Sequence, residues 1–145
     1  METKPEEQRD DSPPAEGSST VPPRQEPLNR DSIRDMQYWA GTCAARHGWR
    51  TDFSLSSLPE LIALMHSELS EALEEYREGH LVHDIYLTKD KEGIDKPEGI
   101  GIELADCVIR IMHFCHNFNI DLSTLISYKM EYNEKRPYRH GGKLI

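Results

Sequence analysis

The chain offers little material for a covalent scaffold, a membrane span or a polyanion-binding surface. It has three cysteines in 145 residues, Cys43, Cys107 and Cys115, and their separations match neither a metal-ligand motif nor a disulfide framework. Two of them lie in an apolar stretch, where a free thiol behaves as a small hydrophobe, so a reducing, cytoplasmic setting is expected. No apolar run approaches the roughly 18–20 residues of a membrane span, and no membrane partner is expected. Residues 1–27 are rich in Pro, Glu, Ser and Gln and almost free of large apolar side chains. They lack the apolar core of a signal peptide and the Arg-rich pattern of a transit peptide. Such a segment cannot offset its own ordering entropy, so a disordered tail is expected there, with one folded domain over 28–145. A net charge of −9 argues against a nucleic-acid polymer as partner, because that requires a basic surface. It leaves room for a small nucleotide held through a metal and a few local cations.

What the folded part does contain is helical periodicity in four segments. The first runs from about Asn29 or Asp31 to His47, with Ile33, Met36, Trp39, Ala40 and Cys43 on one face and Gly48 as its stop. The second follows a Ser57-x-x-Glu60 capping box, with Pro59 in its first turn. Its stripe is Leu61, Leu64, Met65, Leu69, Ala72, Leu73 and Tyr76, and Gly79 ends it. A long loop, His80 to Gly99, carries Lys89, Lys91 and Lys96. A loop of this length inside a small domain is functional or mobile. Asp84 to Thr88 reads as a short strand without an evident partner. The third helix, about Pro97 to Phe118, is apolar on nearly every side, which makes it central in a bundle or shared between subunits. The fourth starts at the cap Asp121 and stops near Arg136, before Pro137. The fold class expected is all-α, a four-helix bundle that favours oligomerisation.

Two acidic pairs stand out on these helices: Glu68-x-x-Glu71 on the second and Glu103-x-x-Asp106 on the third. A spacing of three puts both carboxylates of a pair on one helical face. The second pair opens the most apolar helix, where carboxylates need a positive partner. Four converging carboxylates repel one another unless a cation compensates. Hard oxygen ligands select Mg²⁺, Mn²⁺ or Ca²⁺ over zinc. Such an ion suits hydrolysis of a phosphoanhydride, because it activates water and clamps phosphate charge. Arg110, four residues after Asp106, projects beside the acidic pair and is a candidate for a carboxylate or a phosphate. Glu75 extends the acidic row of the second helix. The bland reading is that such pairs are solvated helix surface, or acids that complement a helix N-terminus.

With these motifs the sequence resembles the MazG-like all-α nucleoside triphosphate pyrophosphohydrolase superfamily, which includes dCTP pyrophosphatases and dimeric dUTPases. The resemblance covers about residues 31–140. It rests on Glu68, Glu71, Glu103 and Asp106, and on the run Lys129-Met130-x-x-Asn133-x-x-Arg136, which looks like an element of the last helix in dCTP-pyrophosphatase-like members. The tail ending Arg139-His140-Gly141-Gly142-Lys143 resembles small bacterial and phage relatives. The resemblance implies Mg²⁺-dependent cleavage of a nucleoside triphosphate to monophosphate and pyrophosphate, in a homodimer or homotetramer. It assigns the metal to the four carboxylates and phosphates to Lys129, Asn133 and Arg136. It also suggests an aromatic under the base: Trp49, with Trp39 and His47 as alternatives. Lys129, Asn133 and Arg136, four and three residues apart, share one helical stripe, as a phosphate grip would. Ser67 stands where the family often has a further Glu, and the spacer between Glu71 and Glu103 is longer than usual. A competing reading takes His83-Asp84, with His66 and Asp106, as an HD-type metal phosphohydrolase. A further one is a helical interaction module without catalysis. A di-iron bundle would need Glu-x-x-His motifs, and the chain has none.

Overall fold

The computed structural model describes residues 32–137. The expected disordered tail over 1–27 and the basic segment from Tyr138 onward lie outside the described residues. Helix α1, Ile33–Arg46, starts after the N-cap Ser32, and Gly48 leaves it in the left-handed region at φ +77°. A single 3₁₀ turn, Leu55–Ser57, leads into α2, Leu58–Arg77. The expected capping box does not form. Ser57 already has helical backbone angles from the 3₁₀ turn, so its hydroxyl does not cap α2. Pro59 sits in the first turn, where its missing N–H costs nothing.

The expected loop over 80–99 is instead a β-hairpin. Strand β1, Tyr86–Lys89, pairs antiparallel with β2, Asp95–Glu98, in the register Tyr86↔Glu98 and Thr88↔Lys96. The predicted strand therefore has its partner, inside a stretch read as the start of a helix. Pro97 is tolerated in β2 because a two-stranded sheet has only edges. The turn is closed by Asp90, whose carboxylate accepts from the Glu92 and Ile94 amides at 3.0 and 2.7 Å. Gly99 then breaks the strand at φ +128°, and a Cβ there would lie 2.3 Å from the Asp84 carbonyl oxygen. Helix α3, Ile100–Asn117, consequently begins after Pro97 rather than at it. Helix α4, Leu122–Glu134, is capped as expected: Asp121 accepts from the Thr124 amide at 3.1 Å.

Helix α3 is central, packed against both α1 and α2, and both run antiparallel to it. The seam with α1 is close because Gly41 faces the ring of His116, which also meets Tyr38 edge-on at 5.8 Å between centroids. The α1–α2 connection is pinned by Phe53 against His113 and Phe118. Helix α4 packs mainly on α1. It is tied to α1 by Arg34 with Asp121 at 2.7 Å and by the Gln37 amide donating to the Ile120 carbonyl at 2.7 Å.

The enclosed core is thin. Its buried apolar side chains are Ala72, Cys107, Met112 and Cys115, while Leu69, Leu73, Leu104, Val108 and Ile109 are each close to half exposed. Helix α4 buries no side chain. Among the described residues the structure is helical with one small sheet: four α-helices and a hairpin.

A Cβ at Gly41 would fall 2.0 Å from His116 Cδ2. The gain in helix propensity from Gly41→Ala, about 1 kcal/mol, is outweighed by prising α1 from α3. We expect a net loss of about 1–3 kcal/mol, read as a lower urea midpoint.

Candidate metal centre

Antiparallel packing of α2 on α3 brings the two acidic pairs to one seam. Oxygen atoms of Glu68, Glu103 and Asp106 lie within 4.8 Å of one another. Glu68 and Glu103 are 4% and 3% exposed, so two carboxylates are among the most enclosed side chains of the fold. Glu71, one turn beyond Glu68, is exposed and outside this triad, though its charge acts on Glu103. Ser67 adds nothing to the cluster: its hydroxyl donates to the Leu64 carbonyl at 2.8 Å.

Arg110 is placed as its spacing implied. Its Nε donates to Glu68 Oε1 across the seam. The guanidinium therefore fixes the orientation of Glu68, the strong form of a charge-assisted contact. Burial comes first in pushing the Glu103 carboxyl above its usual range, followed by the charges of Glu71 and Asp106. Asp106 is raised for the same leading reason, then by Glu68, with Lys96 and Arg110 opposing. Three hard oxygen donors at this separation fit Mg²⁺, Mn²⁺ or Ca²⁺ and offer nothing that selects zinc.

The hairpin contributes residues that the sequence left in a loop. Glu98, at the end of β2, accepts from Lys96 Nζ at 2.9 Å and Thr88 Oγ1 at 2.9 Å, and its charge acts on Glu103. The Lys96 contact, first among the causes, holds Glu98 below the usual carboxylate range. No spacing rule announces Glu98: it reaches the seam because β2 pairs with β1 and Gly99 turns the chain sharply into α3. Glu75 is not part of the triad. It anchors the hairpin, accepting from Tyr86 Oη at 3.0 Å and from His80 Nδ1 at 2.7 Å. Burial and this carboxylate push the Tyr86 phenol up to about 12.

Two cavities adjoin the seam. One, about 380 Å³, opens between α1 and α3, with Asp106 and Arg110 at one end and Trp49 and His47 in its wall. The other, about 340 Å³, lies over the start of α2 and shares Trp49, Arg110 and His113. Trp49 is 68% exposed, with its side chain lining both. His47 donates from Nδ1 to the Cys43 carbonyl at 2.8 Å. Trp39 lines neither cavity. Lys129, Asn133 and Arg136 are not brought to the acidic seam within one chain. Lys129 and Asn133 stand on α4, while Arg136, expected on the same helix, lies beyond its end at Glu134; Lys129 and Arg136 lie over the Tyr132 ring at 4.7 and 5.5 Å. The His83-Asp84 pair is used locally: Asp84 accepts from the Leu81 amide at 2.7 Å, and His83 and His66 are exposed. No protein-family model matches the chain, and neither does any curated protein or solved structure.

A carboxyl with a raised pKa in the fold favours folding while it is protonated and loses that contribution as pH rises through the folded value. Glu103 and Asp106 therefore weaken the metal-free fold at neutral pH relative to mildly acidic pH. Glu103→Gln, which removes the buried charge and keeps the side chain's shape, is expected to raise the melting temperature by a few degrees at pH 7 without metal. The increment should shrink toward pH 4, as wild-type Glu103 takes up its proton; equal increments at both pH values would contradict the assignment.

Proposed function

We propose that the chain is a Mg²⁺-dependent nucleoside triphosphate pyrophosphohydrolase of the MazG-like kind, cleaving (d)NTP to (d)NMP and pyrophosphate. The observation that carries this reading is the convergence of Glu68, Glu103 and Asp106 from two helices, with Asp106 also lining a cavity walled in part by Trp49. Buried carboxylates are retained at a cost of several kcal/mol each unless compensated. A solvated helix face would not bring them together in a seam otherwise sealed by small apolar residues. When bound, a divalent cation supplies Lewis acidity at the phosphates and neutralises their charge. The chain's own contributions follow from position. Glu68, Glu103 and Asp106 hold the cation, with Glu71 at the rim. Arg110 keeps Glu68 oriented and, being 39% exposed, also faces the cavities where phosphates would lie. Trp49 offers a flat face to a base.

In this reading the four helices assemble with those of further copies into a complete bundle, a homodimer or homotetramer. On α4 the side chains of Leu122, Leu125 and Ile126 share a face with Lys129 and Asn133, by the 100° step of the helix. Leu125 and Ile126 are 52% and 40% exposed. A 13-residue helix with no buried side chain is marginal by itself. The surface that covers its apolar half thus lies next to its cationic half. Light scattering should give a mass at least twice the 16.7 kDa of one chain, and Leu125→Glu should reduce it.

The decisive assay is pyrophosphate and monophosphate release from a panel of NTPs and dNTPs with Mg²⁺. Glu103→Gln or Asp106→Asn should lower the rate by roughly a hundredfold or more, and Glu71→Gln by about tenfold, given the effects of inner and supporting metal-site groups. Rates equal to wild type in all three variants would remove the acidic seam from the chemistry.

A further inference from the structure

The hairpin turns polar side chains toward the helices. Side chains alternate along a strand, and cross-strand partners share a face. Tyr86, Thr88, Lys96 and Glu98 therefore stand on one face, and Leu87, Pro97 and the ion-paired Lys89 and Asp95 on the other. The first face is the one turned toward the helices: Tyr86 bonds Glu75, the charge of Glu98 acts on Glu103, and Leu87 is 63% exposed. A hairpin that covered an apolar core would not present a tyrosine hydroxyl, a threonine, a lysine and a glutamate to it. This one covers the acidic seam.

Charge balance there is unequal. Glu68, Glu71, Glu98, Glu103 and Asp106 face two cations, Arg110 and Lys96. Arg110 is locked to the buried Glu68. Lys96 is different. Its side chain is half exposed, its only close partner among the described residues is Glu98, and its field reaches Glu103, Glu71 and Asp106. An ammonium on a flexible stem is a point charge that can change partner, unlike a planar guanidinium. A pair this exposed is weak and readily exchanged.

We propose that Lys96 is the built-in counter-cation of the acidic seam and becomes a phosphate-binding residue when a divalent metal and a nucleoside triphosphate occupy it, with Glu98 as the latch that holds it in the metal-free chain. This rests on the metallohydrolase reading above and deepens it. A divalent cation among the carboxylates repels the ammonium and takes over its neutralising role. The polyphosphate then offers Lys96 an anion at the same rim. The anchors of the hairpin, Glu75 with Tyr86 and His80 and the close approach of Gly99 to Asp84, keep the strand in place while only the lysine stem swings.

The test uses the full chain and two binding readouts besides turnover. Mg²⁺ is titrated by calorimetry without nucleotide, and a non-hydrolysable NTP analogue is titrated with Mg²⁺ saturating. Lys96→Met should bind Mg²⁺ severalfold more tightly, because a competing cation is gone, and the analogue about tenfold more weakly. KM should rise by a similar factor with a smaller change in kcat. Lys96→Arg should recover much of the analogue affinity. Glu98→Gln, which frees the lysine, should weaken the analogue far less than Lys96→Met does. Lys96 is exposed, so far-UV circular dichroism should match wild type. If wild type binds Mg²⁺ and analogue and Lys96→Met leaves both affinities within twofold, the lysine role is wrong and the metal site stands. If wild type binds neither, both readings fall.

Discussion

Buried negative charge on the α2–α3 seam is the constraint around which the rest is arranged. Glu68 and Glu103 are as enclosed as any apolar side chain of the core, and taking a carboxylate out of water costs several kcal/mol before compensation. The chain meets that cost with two cations. Arg110 pairs with Glu68, Lys96 pairs with Glu98, and the field of Lys96 reaches Glu103 and Asp106 from the hairpin. Each is partial. Stability alone would be served better by leucine at these positions, so a seam kept this way points to use of the charge.

The same economy explains why the core is thin. Acids and small residues hold positions that would otherwise hold large apolar side chains, and the leucines of α2 and α3 are pushed toward the surface. Full burial of a leucine is worth about 1.5–3 kcal/mol, so several left near half exposure forgo an amount comparable with a domain's whole stability. Helix α4 extends this apolar surface without closing it. The proposed assembly of copies answers both features at once, because it buries the leucines and gives α4 a face to pack on.

The cavities beside the seam share Trp49, Arg110 and His113, which links an aromatic wall to the acidic cluster through one guanidinium. The hairpin closes the opposite side with its polar face inward. Together they give the seam an apolar approach and a cationic rim, a layout suited to a ligand with a flat ring at one end and negative charge at the other.

Local chemistry alone determined a good deal. The 3.6-residue periodicity marked all four helices, Gly48 and Gly79 marked two stops, and Asp121 marked a cap. These are legible because they depend on neighbours a few residues away. The i, i+3 acidic pairs and Arg110 were legible for the same reason, since each pair lies on one helix face. What tertiary structure decided was which of them meet. Antiparallel packing of α2 on α3 joined Glu68 to Glu103 and Asp106 but left Glu71 at the rim. The 3₁₀ turn before α2 withdrew Ser57 from its expected capping role. The hairpin was hidden because β2 contains Pro97 and ends in Gly99, both poor strand residues, and is held by cross-strand pairing rather than by propensity. Glu98 therefore had no signal in the sequence, and Lys96 had one only as one of three lysines in a long loop. Lys129 and Asn133 share a stripe by helix geometry, Arg136 falls beyond the helix end, and α4 docks on α1, so no local rule could say what that stripe faces. Periodicity is a property of one segment; a site is a property of the distances between segments, and only packing sets those.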